Sequence, residues 1–203
     1  MLEFATKHPD KIIEPLMEHL QIVLLTLVIS LVLAAVLTML SMQFEWVANA
    51  LIQLFSVIYA IPSLALFALL IPITGLGLKS AIIVLVIYNQ YILLRNFISG
   101  LNEVDPAVIE AARGLGMTDM QILLKVRLPL SKRALFAGIH LAVVSTIGIA
   151  TIAASINAGG LGTLLFDGLR TMNTVKILWG SILSAGLAIA VKGVLGMIES
   201  KMK

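Results

Sequence analysis

The residues able to do chemistry in this chain gather at two places in an otherwise apolar sequence. One is the stretch 101–133, where Glu110-Ala111-Ala112 is followed after three residues by Gly116, after nine more by Val126, and then by Leu128-Pro129. The other is formed by Tyr59, Pro62 and Ser63 together with Tyr88, Asn89, Gln90 and Tyr91. Neither group spells a hydrolytic or redox centre. There is no Walker A sequence, no paired carboxylate pattern and no serine nucleophile motif, and with no cysteine there is no thiolate ligand or nucleophile. His140 has no second histidine or carboxylate at ligand spacing, so a satisfied polar contact is expected and no metal site. What these residues can do is bind and position. Glu110 can pair with a cationic group on a partner, small alanines let a helix lie close to a neighbour, and Gly116 permits a sharp turn. Asn89 and Gln90 must avoid lipid, either by hydrogen bonding between helices or by lining a polar path. Pro62 inside an apolar segment kinks it and frees a carbonyl. Four residues apart, Tyr59 and Ser63 are expected on one helix face.

The elements that hold these groups are membrane helices. The chain is 60% hydrophobic and only 12% charged, with a mean hydropathy of +1.06, whereas soluble domains carry about 25% charged residues. A span needs about 20 apolar residues. The segments 20–42, 47–71, 78–98 and 134–157 qualify, and 175–198 does so if Lys192 snorkels to the headgroups. The expected fold is therefore all-α, a polytopic membrane bundle of about five spans, with a sixth left open by the glycine-rich stretch 157–174. Residues 1–19 are expected to form an external segment without a cleavable signal, 20–198 the transmembrane domain, and 199–203 a cytoplasmic tail. The short link Gln43–Trp46 forces an antiparallel hairpin, with Trp46 at the interface.

The loop 101–133 carries Arg113, Lys125, Arg127, Lys132 and Arg133, which places it in the cytoplasm. Asp105-Pro106 reads as an N-cap followed by a first-turn proline, opening one short helix. Thr118-Asp119-Met120-Gln121 matches a capping box for a second, which Pro129 closes. The predicted product is a helical pair with a glycine corner.

The spacing of Glu110-Ala111-Ala112, Gly116, Val126 and Leu128-Pro129 resembles the EAA signature of binding-protein-dependent ABC importer permeases, with valine where isoleucine is more usual. Ile61-Pro62-Ser63-Leu64-Ala65, Leu94-Arg95-Asn96 and Asn157-Ala158-Gly159-Gly160-Leu161-Gly162 are similar to the permeases of osmoprotectant importers, which carry glycine betaine, carnitine, choline or proline betaine. The resemblance implies a type I importer fold in a bacterial plasma membrane. It implies that Glu110, Ala111, Ala112, Gly116, Leu128 and Pro129 form the segment that docks on a separate ATP-binding subunit. It also implies a second permease chain, identical or homologous, and an extracytoplasmic substrate-binding protein. On this reading the chain holds no cofactor; ATP and Mg belong to the partner ATPase.

Within that frame Tyr59, Pro62, Ser63, Asn89 and Gln90 are expected along the translocation path, and Gly159, Gly160 and Gly162 at an outer gate or receptor contact. The aromatic residues are scattered in sequence and specify no cage for a quaternary ammonium. Two rival readings remain: a permease for an amino acid or other small zwitterion, and an ion-gradient-driven carrier. The carrier normally needs carboxylates within the spans, and here every Asp and Glu lies outside the span centres.

Overall fold

The computed structural model describes residues 2–42 and 44–201; Gln43 of the first turn and Lys203 of the tail lie outside the described residues. After α1 (Leu2–Lys7), α2 runs unbroken over Asp10–Ser41. At about 1.5 Å per residue its 32 residues exceed the hydrocarbon thickness by roughly half. Residues 10–19, expected in a separate external segment, are continuous with the first span in one helix. Its two faces reverse the pattern of a soluble helix. His19, Thr26, Ser30, Thr38 and Ser41 are buried, while Leu24, Val28, Val32, Val36 and Leu40 are exposed, as expected where lipid covers the outside and small polar residues pack inside.

The second apolar segment is two helices, α3 (Glu45–Tyr59) and α4 (Ser63–Thr74), bent by 98° across Ala60-Ile61-Pro62. Pro62 takes φ −56° and ψ 135° as the residue preceding α4. It has no N–H to continue the ladder, and the Tyr88 hydroxyl donates to the Ile61 carbonyl at the break. This is a full interruption where the sequence suggested a kink. Tyr59 and Ser63 therefore belong to different helices and share no face.

Helix α5 (Leu78–Asn102) is the central post. It packs on α2, on α3 and α4, and most extensively on α9 (Lys132–Ala153). Between them lie α6 (Pro106–Gly114), α7 (Asp119–Ile122), a π-helical turn over Leu123–Arg127, and α8 (Leu128–Leu130). The π turn ends just before Pro129, whose missing N–H disturbs the α ladder at that point. The second loop helix accordingly ends one residue beyond the proline expected to close it. Helix α10 (Gly162–Arg170), too short to span, leads into α11 (Thr174–Lys201), a peripheral helix resting on α9 and α10. Among the described residues four helices are long and apolar enough to cross a membrane, or five if the bent pair is counted as one broken span.

Asn89 and Gln90 sit in the seam of α2, α5 and α9, 1% and 0% exposed. The Asn89 amide donates to Ser30 Oγ at 3.2 Å and Thr146 Oγ1 at 2.9 Å, and Gln90 Nε2 donates to the Ser30 carbonyl at 3.3 Å. These amides clasp three helices and do not reach an open surface, so the expected path lining gives way to the alternative, interhelical hydrogen bonding. Interhelical hydrogen bonds in membranes average about 0.6 kcal/mol. Thr146→Val should therefore lower the thermal midpoint of the detergent-purified protein only slightly, by a degree or two at that magnitude. A loss of more than roughly 10 °C would show that the clasp does more than join helices.

Candidate functional site

The EAA segment folds as its local chemistry dictates. Asp105 caps α6 by accepting from the Ala107 amide at 2.8 Å, with Pro106 in the first turn. The capping box is complete: Gln121 N–H donates to Thr118 Oγ1 at 3.3 Å, and Thr118 N–H donates to Gln121 Oε1 at 2.9 Å. The corner between the two helices is a Schellman turn. Gly116 has φ +79°, its N–H donates to the Arg113 carbonyl at 2.9 Å, and the Met117 N–H donates back to Ala112 at 3.2 Å. Arg113 and Asp119 brace it across a solvent-exposed 3.3 Å ion pair.

Ile109, Ala112 and Ile122 form a small core with Val104, Met117 and Val126. Ala112 is thus an internal packing residue, and only Glu110 and Ala111 of the triplet face outward. The outward tip is more apolar than its motif suggested, since Leu115 is 83% exposed and Met120 57%. Both are apolar side chains left exposed on an otherwise polar loop. Leu115 lies between the motif positions, and the sequence signal for it was an apolar residue directly before the corner glycine. Leu128 and Pro129 sit away from the tip, lining an apolar cleft with Phe97, Leu101, Leu135 and Phe136. They join the loop to the bundle. Ser131 Oγ, donating to the Gly100 carbonyl at 2.6 Å, ties the same junction to α5.

At the opposite end the glycine-rich segment is packed tightly. Gly159 and Gly160 have φ +83° and +81°. The Gly160 amide donates to Glu18 Oε2 at 2.8 Å and the Leu161 amide to His19 Nδ1 at 3.3 Å. Gly160 and Gly162 are buried. A β-carbon on Gly162 would lie 1.9 Å from the Thr151 carbonyl oxygen. These glycines are there for packing and for left-handed backbone; buried as they are, Gly160 and Gly162 present no free surface to a gate or receptor. An open cleft at this end is lined by Lys11, Glu14, Glu18, Asp167, Arg170 and Lys176 together with Asn157 and Phe166.

Asp167 accepts from Lys176 Nζ at 2.6 Å and from Arg170 at 3.0 Å. The Lys176 hydrogen bond first, then that of Arg170, holds its carboxyl below the usual value of 3.8. A depressed carboxyl stabilises the fold fully above its unfolded-state value and loses that contribution as pH falls through the folded one. Acidification from about pH 5 to about pH 3 should speed proteolysis at the α10–α11 junction, and less so in Asp167→Asn. Equal acid sensitivity in both would remove the carboxylate from the account.

Near the break in the second span, the three tyrosines converge. Tyr59 meets Tyr88 edge to face at 5.4 Å and Tyr91 at 4.9 Å between ring centroids. Arg95 donates to the Tyr91 hydroxyl at 2.7 Å and lies 5.9 Å over its ring. Scattered in sequence, these rings form a cluster because the last turn of α3 docks on the middle of α5. The signal was the three-residue spacing of Tyr88 and Tyr91, with Arg95 four residues on. Pro62 is exposed and Ser63 half-buried at the start of α4. Among the described residues no group of histidine, cysteine, aspartate or glutamate side chains could hold a metal ion.

Comparison with known proteins matches residues 27–203 to the family described as binding-protein-dependent transport system inner membrane component. The carnitine transport permease protein OpuCB of Listeria monocytogenes is 39% identical over 185 residues, covering 91% of this chain and 85% of the relative. The glycine betaine/carnitine/choline transport system permease protein OpuCB of Bacillus subtilis (strain 168) is 32% identical over 202 residues, covering 100% and 93%. In fold, the chain superposes on a chain of the inward-facing MetNI methionine ABC transporter with a TM-score of 0.83 at 21% identity, covering 94% of this chain and 95% of that one.

Proposed function

The chain belongs to the family of binding-protein-dependent transport system inner membrane components, and we propose that it is the permease subunit of an ATP-driven importer for small osmoprotectants such as glycine betaine, carnitine or choline. The observation that carries the reading is the EAA loop, a capped helical pair with an exposed apolar apex at one end of a bundle of four to five candidate spans. The cargo rests on the carnitine and glycine betaine permeases that resemble the chain along most of its length.

In this reading the loop 101–133 faces the cytoplasm, and residues 106–116 dock on an ATP-binding subunit that holds ATP and Mg. A second permease chain, identical or homologous, completes the path. The substrate-binding protein delivers cargo at the opposite end, where the charged rim from Lys11 to Lys176 offers the contact. ATP binding closes the ATPase pair, draws the two loops together and turns the cavity outward; hydrolysis resets it. Leu128, Pro129 and Ser131 couple loop displacement to α5 and α9. The rival reading keeps this machinery and changes the cargo to an amino acid.

The test is to purify the tagged chain from native membranes, identify what accompanies it, and measure binding by the receptor that accompanies it or is encoded beside it. An ATP-binding subunit with a receptor whose melting point is raised by glycine betaine, carnitine or choline supports the proposal. A receptor stabilised only by amino acids would move the cargo to the rival reading, and absence of any ATPase would overturn the importer.

A further inference from the structure

We propose that Tyr59, Tyr91 and Arg95 form a station for a zwitterion on the translocation path, the rings taking the ammonium and the guanidinium the carboxylate. The inference rests on the importer reading and names where, within this chain, its cargo is held.

Two features distinguish this face. Arg95 is exposed on α5, about one turn inside the end expected for the span 78–98. The second feature is the interrupted backbone at Ala60-Ile61-Pro62, with Ala60 and Pro62 exposed. Non-helical backbone at membrane depth is tolerated where protein buries it or water lines it. Both features border the same tyrosine cluster.

The chemistry of the cluster fits one ligand class. Tyrosine faces attract a cation by their quadrupole, most strongly where water is scarce. At present the Arg95 guanidinium occupies that place over Tyr91, so the site already holds a cation of its own. A zwitterion arriving with its ammonium on the ring would displace the guanidinium and accept hydrogen bonds from it through the carboxylate. Tyr88 is 3% exposed and committed to the Ile61 carbonyl, so it is a wall behind the station. Tyr59 is 36% exposed and presents its ring to the open side.

The experiment uses the complete transporter, with its ATPase and receptor, reconstituted in vesicles, and reads molecules of glycine betaine imported per ATP hydrolysed. Loss of assembled transporter lowers both quantities together, whereas a defect in the path lowers the ratio. Tyr91→Leu and Arg95→Gln should each lower the ratio about tenfold, as expected for losing a cation–π or charge-assisted contact. Tyr91→Phe, which keeps the ring, and Arg95→Lys, which keeps the charge, should restore much of it. Should Tyr91→Leu fail to assemble, the less buried Tyr59→Leu provides the same comparison. Ratios within twofold of wild type for Arg95→Gln and the tyrosine variant would overturn the station while leaving the importer intact. A wild type that hydrolyses ATP with its receptor but imports no betaine would contradict the cargo, and the station with it.

Discussion

Gly116→Asp is expected to cut import by on the order of a hundredfold while the bundle still folds and inserts, the loss a hot-spot residue produces at an interface. The backbone at Gly116 has φ +79°, a region that costs a side-chain-bearing residue about 1–2 kcal/mol. No atom lies within 4 Å of where a β-carbon would stand, so no clash inside the chain adds to this. The greater effect lies outside it. A carboxylate one residue from Leu115, the 83% exposed apex, would carry an unpaired charge into whatever surface buries that leucine. The control is Gly116→Ala, which pays only the backbone term and should keep a substantial share of transport. Uptake together with recovery of the ATP-binding subunit on the tagged chain checks both. Full activity in Gly116→Asp would mean that the corner is no docking surface.

Gly162→Val is expected to fail earlier, with little folded protein recovered from the membrane. Its β-carbon would lie 1.9 Å from the Thr151 carbonyl oxygen and 2.7 Å from the Ala154 β-carbon. The nearest neighbour is helix backbone, which cannot rotate aside. Overpacking a buried contact typically costs about 1–3 kcal/mol, and more where backbone must shift. This outcome separates packing from gating. A gate residue would yield an assembled protein with altered transport, whereas a packing glycine yields none to assay. Size-exclusion profile and membrane yield decide the matter, and a well-assembled Gly162→Val with defective uptake would return the segment to a gating role.

The contrast between these two glycines shows what could be read in advance. Gly116 was legible because everything that fixes it is local: Asp105-Pro106 starts one helix, Thr118 to Gln121 starts the next, and the turn between them must reverse within a few residues. Span positions were legible for a similar reason, since bilayer thickness sets segment length whatever the tertiary packing. The role of Gly159 to Gly162 was not, because it depends on Glu18 and His19, more than a hundred residues away in sequence. The break at Pro62 was underread as a kink. Proline alone does not turn a helix by 98°; here Tyr88 satisfies a carbonyl at the interruption and α5 supports both halves. The convergence of the tyrosines follows from that break and shares its obscurity. Asn89 and Gln90 were read correctly as shunning lipid, but periodicity could not say whether they met helices or water. Of the EAA triplet, only packing reveals that Ala112 turns inward while Leu115 turns out.

The most direct test of the central claim exploits the absence of cysteine from the chain. Leu115→Cys introduces a single thiol at the apex of the loop, where it can be cross-linked in native membranes and probed with a membrane-impermeant maleimide. The account predicts a cross-link to an ATP-binding subunit and, before lysis, protection from reagent added outside the cell. Labelling from outside with no ATPase cross-linked would contradict it, since the loop would then face the wrong compartment and couple to nothing.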